Sequence, residues 1–469
     1  MRRWIWGWLP FLALAMPLFL RSQTETKPFN FFVSNDFIFQ YNQAADRLNQ
    51  FNDALSLFGK YRDWSMGLTL RGLNFYRPSP NQTLAEVRFE LHRKFLQYAA
   101  GPWRATLGDF NALLGRGLVL AVLPNDPVFR DRSVSGIDLA YGGSAFNLRG
   151  LAGTVHDELN RQRWLVAGGE VSWAYWKANR FGAQLSAIDD RTAPGGTATG
   201  QTGRLTASLS AAGDGILKGV SYYLEFAGLW NQSQPDSTGN ALFANLTWRR
   251  SRLTMMLEYK RYLDFDNQLN NPPVADREDE VNDLADAGGG RLYLQYSFFD
   301  PDLVLFFDIG RYRESGEEGN HAYGGLLVED LWQRVDISAS YGVRDLAYPV
   351  HKSALQLVVE LTPVWSLEFS LKDKRYRDRF DFRFVETDLL LQLSRAPGWS
   401  GFFVYQYSAG LILNRHHFFN GGIRLTLRSG TSLELLVGSV RGGQVCAGGQ
   451  CFVAPPFQGA RLSLLTVFR

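Results

Sequence analysis

Residues 108–120, GDFNALLGRGLVL, set an acid and an amide just ahead of two glycines that bracket an arginine. Glycine-rich turns cradle phosphate when a strand leads through them into a helix, in the spacings G-x-x-x-x-G-K-[ST] or G-x-G-x-x-G. Neither spacing is present, no Lys-Ser/Thr follows Gly117, and LVLAV at 118–122 reads as strand. Phosphate chemistry is therefore set aside. Other reactive patterns are equally sparse. G-x-S-x-G and H-E-x-x-H are absent, and the His416-His417 pair has no acid and serine arrangement near it in sequence, so no enzyme activity is expected. The acids between 264 and 290 lack EF-hand spacing and read as a solvated loop, and no metal or other cofactor is implied. Cys446 and Cys451, the only two cysteines, are separated by Ala-Gly-Gly-Gln and are expected to close a small disulfide loop in an exported chain.

The elements that hold these residues have one recurring form. From about residue 30 to the end, segments of roughly ten residues or more alternate apolar and polar side chains. In VDISASYGVR at 335–344, Val, Ile, Ala, Tyr and Val take one face and Asp, Ser, Ser, Gly and Arg the other. The stretches at 365–372, 290–298 and 242–248 repeat the pattern. Such segments have the length of a tilted strand crossing a bilayer. Short connections at 249–251, 300–302, 362–363, 395–398 and 429–431 alternate with longer ones at 189–203, 231–239, 264–290, 314–323 and 438–459. Tryptophans 103, 164, 173, 176, 230, 248, 332, 365 and 399 fall near segment ends, as an interfacial girdle requires. The last segment, RLSLLTVFR, alternates towards a near-terminal Phe468.

Together these features predict an all-β chain. It is a single transmembrane antiparallel β-barrel of about 24 strands, within a range of roughly 22–26, with short periplasmic turns and long external loops. Arg2 and Arg3 followed by an apolar stretch make residues 1–22 an export signal, leaving 23–469 as the barrel in the outer membrane of a Gram-negative bacterium. Nothing ahead of the first strand has the length of a separate plug, which disfavours a TonB-dependent receptor. Within the barrel, 108–120 is expected to belong to one long strand over about 103–123, kinked at Gly115 and Gly117, in preference to a segment folded into the lumen.

GDFNALLGRGLVL together with RDRSVSGIDLAYGG at 130–143 resembles a group of uncharacterised outer-membrane β-barrel proteins of the Bacteroidota, classed by a domain of unknown function. The resemblance implies a barrel and an outer-membrane address. It implies no activity.

Register then nominates the lumen. Glu86, Arg88, Glu90, His92 and Lys94 form an inward ladder of alternating sign. Arg116, Arg130 and Arg132 are the candidates for a constriction. The same register turns Arg71, Arg149, Glu225, Arg291, Asp308, Arg344, Lys372, Lys374, Arg424 and Glu434 inward. Charges of both signs can pair across strands or set up a field in a water-filled pore. Expected partners are outer-membrane lipid and lipopolysaccharide and a small polar solute. The net charge of +3 gives no reason to expect nucleic acid. Passage of small solutes is the leading expectation, because a ring this wide encloses more volume than strand-borne side chains readily fill. The alternative is a barrel serving as anchor for loops that bind a protein or polysaccharide.

Overall fold

The computed structural model describes residues 29–42, 47–74, 88–125, 130–157, 162–175, 178–190, 203–214, 217–231, 238–271, 273, 286–298, 302–314, 316–345, 349–377, 383–412, 415–428, 430–447, 450–454 and 456–468. The signal at 1–22, Glu86 and the centre of the acidic loop lie outside these residues, as do the side chains of Arg88, Arg130, Cys446 and Cys451. Among the described residues every regular element is a strand.

Twenty-four of the strands form one sheet, each antiparallel to the next in chain order. The first, Phe29–Asn42, also pairs with the last, Phe457–Phe468, from Val33↔Phe468 to Asn42↔Gly459, and this closes the ring. Closure leaves no edge strand with unpaired N–H and C=O groups, which a bilayer would not tolerate. The first and last strands begin and end at the same rim, the one that carries the short turns. Several of these turns adopt left-handed backbone, as at Arg62 (φ 54), Ser251 (φ 52) and Gly430 (φ 93).

The alternation in sequence becomes an inside and an outside. On Val220–Asn231, Leu224, Phe226 and Trp230 point out, whereas Glu225, Ala227 and Leu229 are buried on the inner side. At the short-turn rim the outward rings touch one another: Trp64 and Tyr98 at 4.8 Å between centroids, Trp103 and Tyr141 at 4.9 Å, Trp365 and Trp399 at 5.4 Å. These pairs form a belt at the height where amphipathic rings are stable. Trp164 is not part of it. Its parity on Gln162–Tyr175 turns it inward, where it is 1% exposed.

Two sequence expectations are corrected. The connection at 314–323 is not a long loop, since Asp302–Glu314 and Glu317–Leu331 continue their ladder to Glu314↔Glu317 and turn through Gly316. Above the bilayer a strand no longer needs an apolar outer face, so the alternation fades while the hydrogen bonds go on. The long kinked strand over 103–123 is also overturned. The barrel strand is Trp103–Phe110, its neighbour is Val134–Gly142, and Phe110 and Val134 are direct register partners. The described residues between them leave the wall.

Candidate functional site

What leaves the wall enters the lumen. Residues 111–123 form a hairpin in which Ala112–Leu114 pairs with Leu120–Val122 around a turn at Gly115-Arg116-Gly117. Leu118 to Val122 are consecutive apolar residues, and a barrel strand facing lipid on one side and water on the other has no place for them. In the hairpin they are buried on every side. Leu114, Val119, Leu120 and Val122 pack on an apolar patch of the inner wall made by Leu151, Val155, Trp164, Val166 and Ile188. Leu118 packs on a second patch with Ala227, Leu229, Phe243, Tyr262 and Phe265.

Contacts at three places, tip, flank and root, fix the hairpin. At its tip, the Arg116 N–H donates to Glu225 Oε2 at 2.9 Å, and the Arg116 guanidinium lies over the Tyr223 ring at 4.6 Å. Glu225 is fully buried; Tyr223 donates to its Oε2 at 2.5 Å and Ser208 Oγ lies 2.8 Å from its Oε1. Along its flank, Ala121 N–H donates to the Leu269 carbonyl, Asn271 N–H to the Gly117 carbonyl, and the Asn267 amide to the Val119 carbonyl. The start of the loop after Leu253–Leu263 therefore folds inward with the hairpin. At the root, Arg149 donates to the Asn111 and Leu113 carbonyls while bridging Asp138 at 2.7 Å.

The glycines follow from this fit. Both have positive φ, 62° at Gly115 and 84° at Gly117. A Cβ on Gly117 would lie 2.4 Å from the Asn271 carbonyl oxygen, and one on Gly115 would lie 2.1 Å from Glu225 Oε1. Gly117→Ala is expected to cost about 1–3 kcal/mol through combined backbone strain and overlap, read as a lower urea midpoint in detergent. Gly101→Ala, with φ 55 but nothing within 4 Å of its Cβ, is the control and should shift the midpoint less.

The nominated residues separate. Arg116 is exposed at the hairpin tip and lines a cavity of about 280 Å³ with Arg180, Asp214, Tyr223 and Asn245. Arg132 is 9% exposed; its guanidinium lies over Trp164 at 5.4 Å, and Trp164 in turn donates to the Gln268 side chain at 2.6 Å. It braces the root of the hairpin and does not share Arg116's cavity. Glu90 and His92 sit together at 3.3 Å on the inner side, beside Arg71. Lys94 leaves that row. The pairing of Trp64–Asn74 with Arg88–Ala100 slips between Thr69 and Leu70, and the extra residue places Lys94 opposite Leu68 on the outward side.

Away from the hairpin the inner wall is charged. Arg291 makes two bonds to the fully buried Asp308, at 2.8 and 2.6 Å, and His321 lies 3.3 Å from the same carboxylate. Arg344 donates to Tyr312 at 2.9 Å. Arg441, just past Thr431–Val440, folds inward over two strands and reaches Asp388 at 3.5 Å and Glu386 at 3.7 Å. Among the described residues no group of three His, Cys, Asp or Glu is placed to hold a metal.

No family model matches the sequence, and no curated protein is similar to it. Solved structures do resemble it. The copper transporter OprC is 9% identical with a TM-score of 0.50, over 96% of this chain and 82% of that one. The siderophore receptor PirA from Pseudomonas aeruginosa is also 9% identical with a TM-score of 0.50, over 94% and 80%. The chain has the fold of an outer-membrane β-barrel. The P pilus usher PapC translocation pore is 11% identical, with a TM-score of 0.48 over 94% of this barrel and 99% of that chain. Identities this low carry the architecture and say nothing of cargo.

Sequence reasoning missed the inward course of 264–271, the role of Glu225 as an anchor, and Arg441. The available signals were the five-residue apolar run at 118–122 and the isolated Phe265 and Leu269 in a loop otherwise rich in acids and amides.

Proposed function

We propose that this chain is a porin-like channel in the outer membrane of a Gram-negative bacterium, of the Bacteroidota barrel type that GDFNALLGRGLVL resembles. Its short turns face the periplasm, and it carries small polar solutes past a constriction made by the hairpin. One observation carries the reading, the two-sidedness of the lumen. The hairpin and the 264–271 segment cover the apolar patches of one wall, and the far wall keeps ionisable side chains such as Lys372, Glu386 and Asp388. A charged wall facing a packed insert suits a hydrated path, since an ionised group without water or a partner is costly. A barrel meant only as an anchor has no use for either feature.

Purified protein reconstituted in planar bilayers should give stepwise single-channel currents. A protein that inserts, as judged by heat-modifiable migration, yet stays electrically silent would overturn the channel and move weight to the loops as a binding surface.

A further inference from the structure

Four strands of the inner wall contribute to one row at the hairpin tip. Register aligns Arg180 with Ala212, Ala212 with Tyr223 and Tyr223 with Asn245. Ala212, set between an arginine and a tyrosine, leaves a recess, and Arg116 borders it from the hairpin with its guanidinium 4.6 Å from the centre of the Tyr223 ring. Asp214, one inward position nearer the short turn, joins the lining of this cavity of about 280 Å³. Arg116, Arg180 and Asp214 are all exposed, and among the described residues no ion pair joins either guanidinium to the carboxylate. The acids on the adjoining strands are engaged elsewhere. Glu225 accepts from the Arg116 N–H, Tyr223 and Ser208, Glu258 lies 2.8 Å from Lys260, and Glu170 stands opposite Arg149 in register. Of the further cations towards the rim, Lys218 and Arg249 are exposed and Lys177 lies outside the described residues. Opposite charges elsewhere on the inner wall meet directly, as Arg291 meets Asp308. Here they stand apart around a recess.

We propose that this cavity binds a small zwitterionic solute of amino-acid or dipeptide size, its carboxylate taken by Arg116 and Arg180 and its ammonium by Asp214. The proposal deepens, and for transport rests on, the channel reading above. A guanidinium suits a carboxylate because its planar fork donates two parallel N–H bonds and its charge persists at any ordinary pH. Contact with the Tyr223 ring orients Arg116 before a solute arrives, which lowers the ordering cost of binding. Arg116 belongs to the hairpin and Arg180 to the wall strand Asn179–Asp190, so a carboxylate held by both would tie the tip to the wall. Asn179 begins its strand just after a short turn and Asp214 ends its own just before one, which puts the cavity on the short-turn side of the constriction.

The test uses L-alanine and L-alanyl-L-alanine as zwitterionic probes at fixed ionic strength. N-acetyl-L-alanine carries the carboxylate alone, L-alaninamide the ammonium alone, and glucose neither. Isothermal calorimetry on the detergent-solubilised full-length protein reads the site without any current. At least one zwitterion should bind, and R180Q and D214N should each weaken that binding at least about tenfold. D214N should weaken the zwitterion more than N-acetyl-L-alanine, whereas R180Q should weaken both. In planar bilayers the same zwitterion, added on the short-turn side, should interrupt the single-channel current in a concentration-dependent way. A silent bilayer with calorimetric binding sensitive to both substitutions would remove the channel and leave the site. A conducting barrel that treats both zwitterions like glucose, or whose binding ignores R180Q or D214N, would overturn the site and leave the channel. N-acetyl-L-alanine or L-alaninamide bound as tightly as the zwitterion would overturn it too, since one charge would then suffice. Arg180 and Asp214 are exposed, so both variants should fold, and heat-modifiable migration checks that they do.

Discussion

Replacing residues 111–133 with an Asn-Gly turn is expected to raise single-channel conductance several-fold while leaving the barrel intact. Phe110 and Val134 already face each other in register, so the ladder between Trp103–Phe110 and Val134–Gly142 needs only a two-residue connection. Asn-Gly supplies the left-handed backbone such a turn requires. The deletion also exposes Leu151, Val155, Trp164, Val166 and Ile188, which the hairpin now covers. At roughly 25 cal/mol per Å² of apolar surface returned to water this will lower stability, but not the closure of the ring, which depends on strand pairing. Heat-modifiable migration would show that the shortened chain still closes. Conductance equal to that of the full-length chain would mean that the hairpin does not narrow the path.

The second large effect is expected at Glu225. Glu225→Ala strands two half-buried donors, the Arg116 N–H and the Tyr223 hydroxyl, whereas the Ser208 hydroxyl keeps Gln184 Oε1 as an acceptor at 2.6 Å. With each unsatisfied group worth about 1–2 kcal/mol, the loss is roughly 2–4 kcal/mol, though lumen water that reaches the site would reduce it. Because these contacts hold the hairpin tip and not the wall, the loss should show as gating noise. The current should flicker between the parent level and a higher one, with a smaller change in the urea midpoint of the whole barrel. Glu225→Gln retains an acceptor oxygen and should behave between the two. Quiet, parent-like currents in Glu225→Ala would show that the tip is secured elsewhere, by the packing of Leu118 on Tyr262 and Phe265.

How much was legible in sequence differs sharply between wall and insert. The strand number and the inward direction of Glu225, Arg291, Asp308 and Lys372 could be read residue by residue, as could the two-sided habit of the connections. Each strand residue answers locally to one of two environments, and the period of two records the answer. The exceptions were also local in cause. Lys94 was misplaced by a single bulge that the sequence does not announce, and Trp164 was assigned to the girdle because position near a strand end outweighed parity.

The hairpin was misread for a different reason. Its glycines and apolar run were visible, but a kinked strand and an inward hairpin satisfy the same local rules. The contacts that separate them join Arg116 to Glu225, Gly117 to Asn271 and Val119 to Asn267, across a hundred residues or more. Sequence by itself therefore determined that this chain closes into a barrel and, bulges apart, which parity of each strand faces inward, because lipid and water act on every strand residue separately. Only the tertiary structure decided what fills the lumen and how Arg116, Arg132 and Arg441 are held there. Those outcomes depend on which distant segments meet once the ring has closed, and no periodic pattern encodes that meeting.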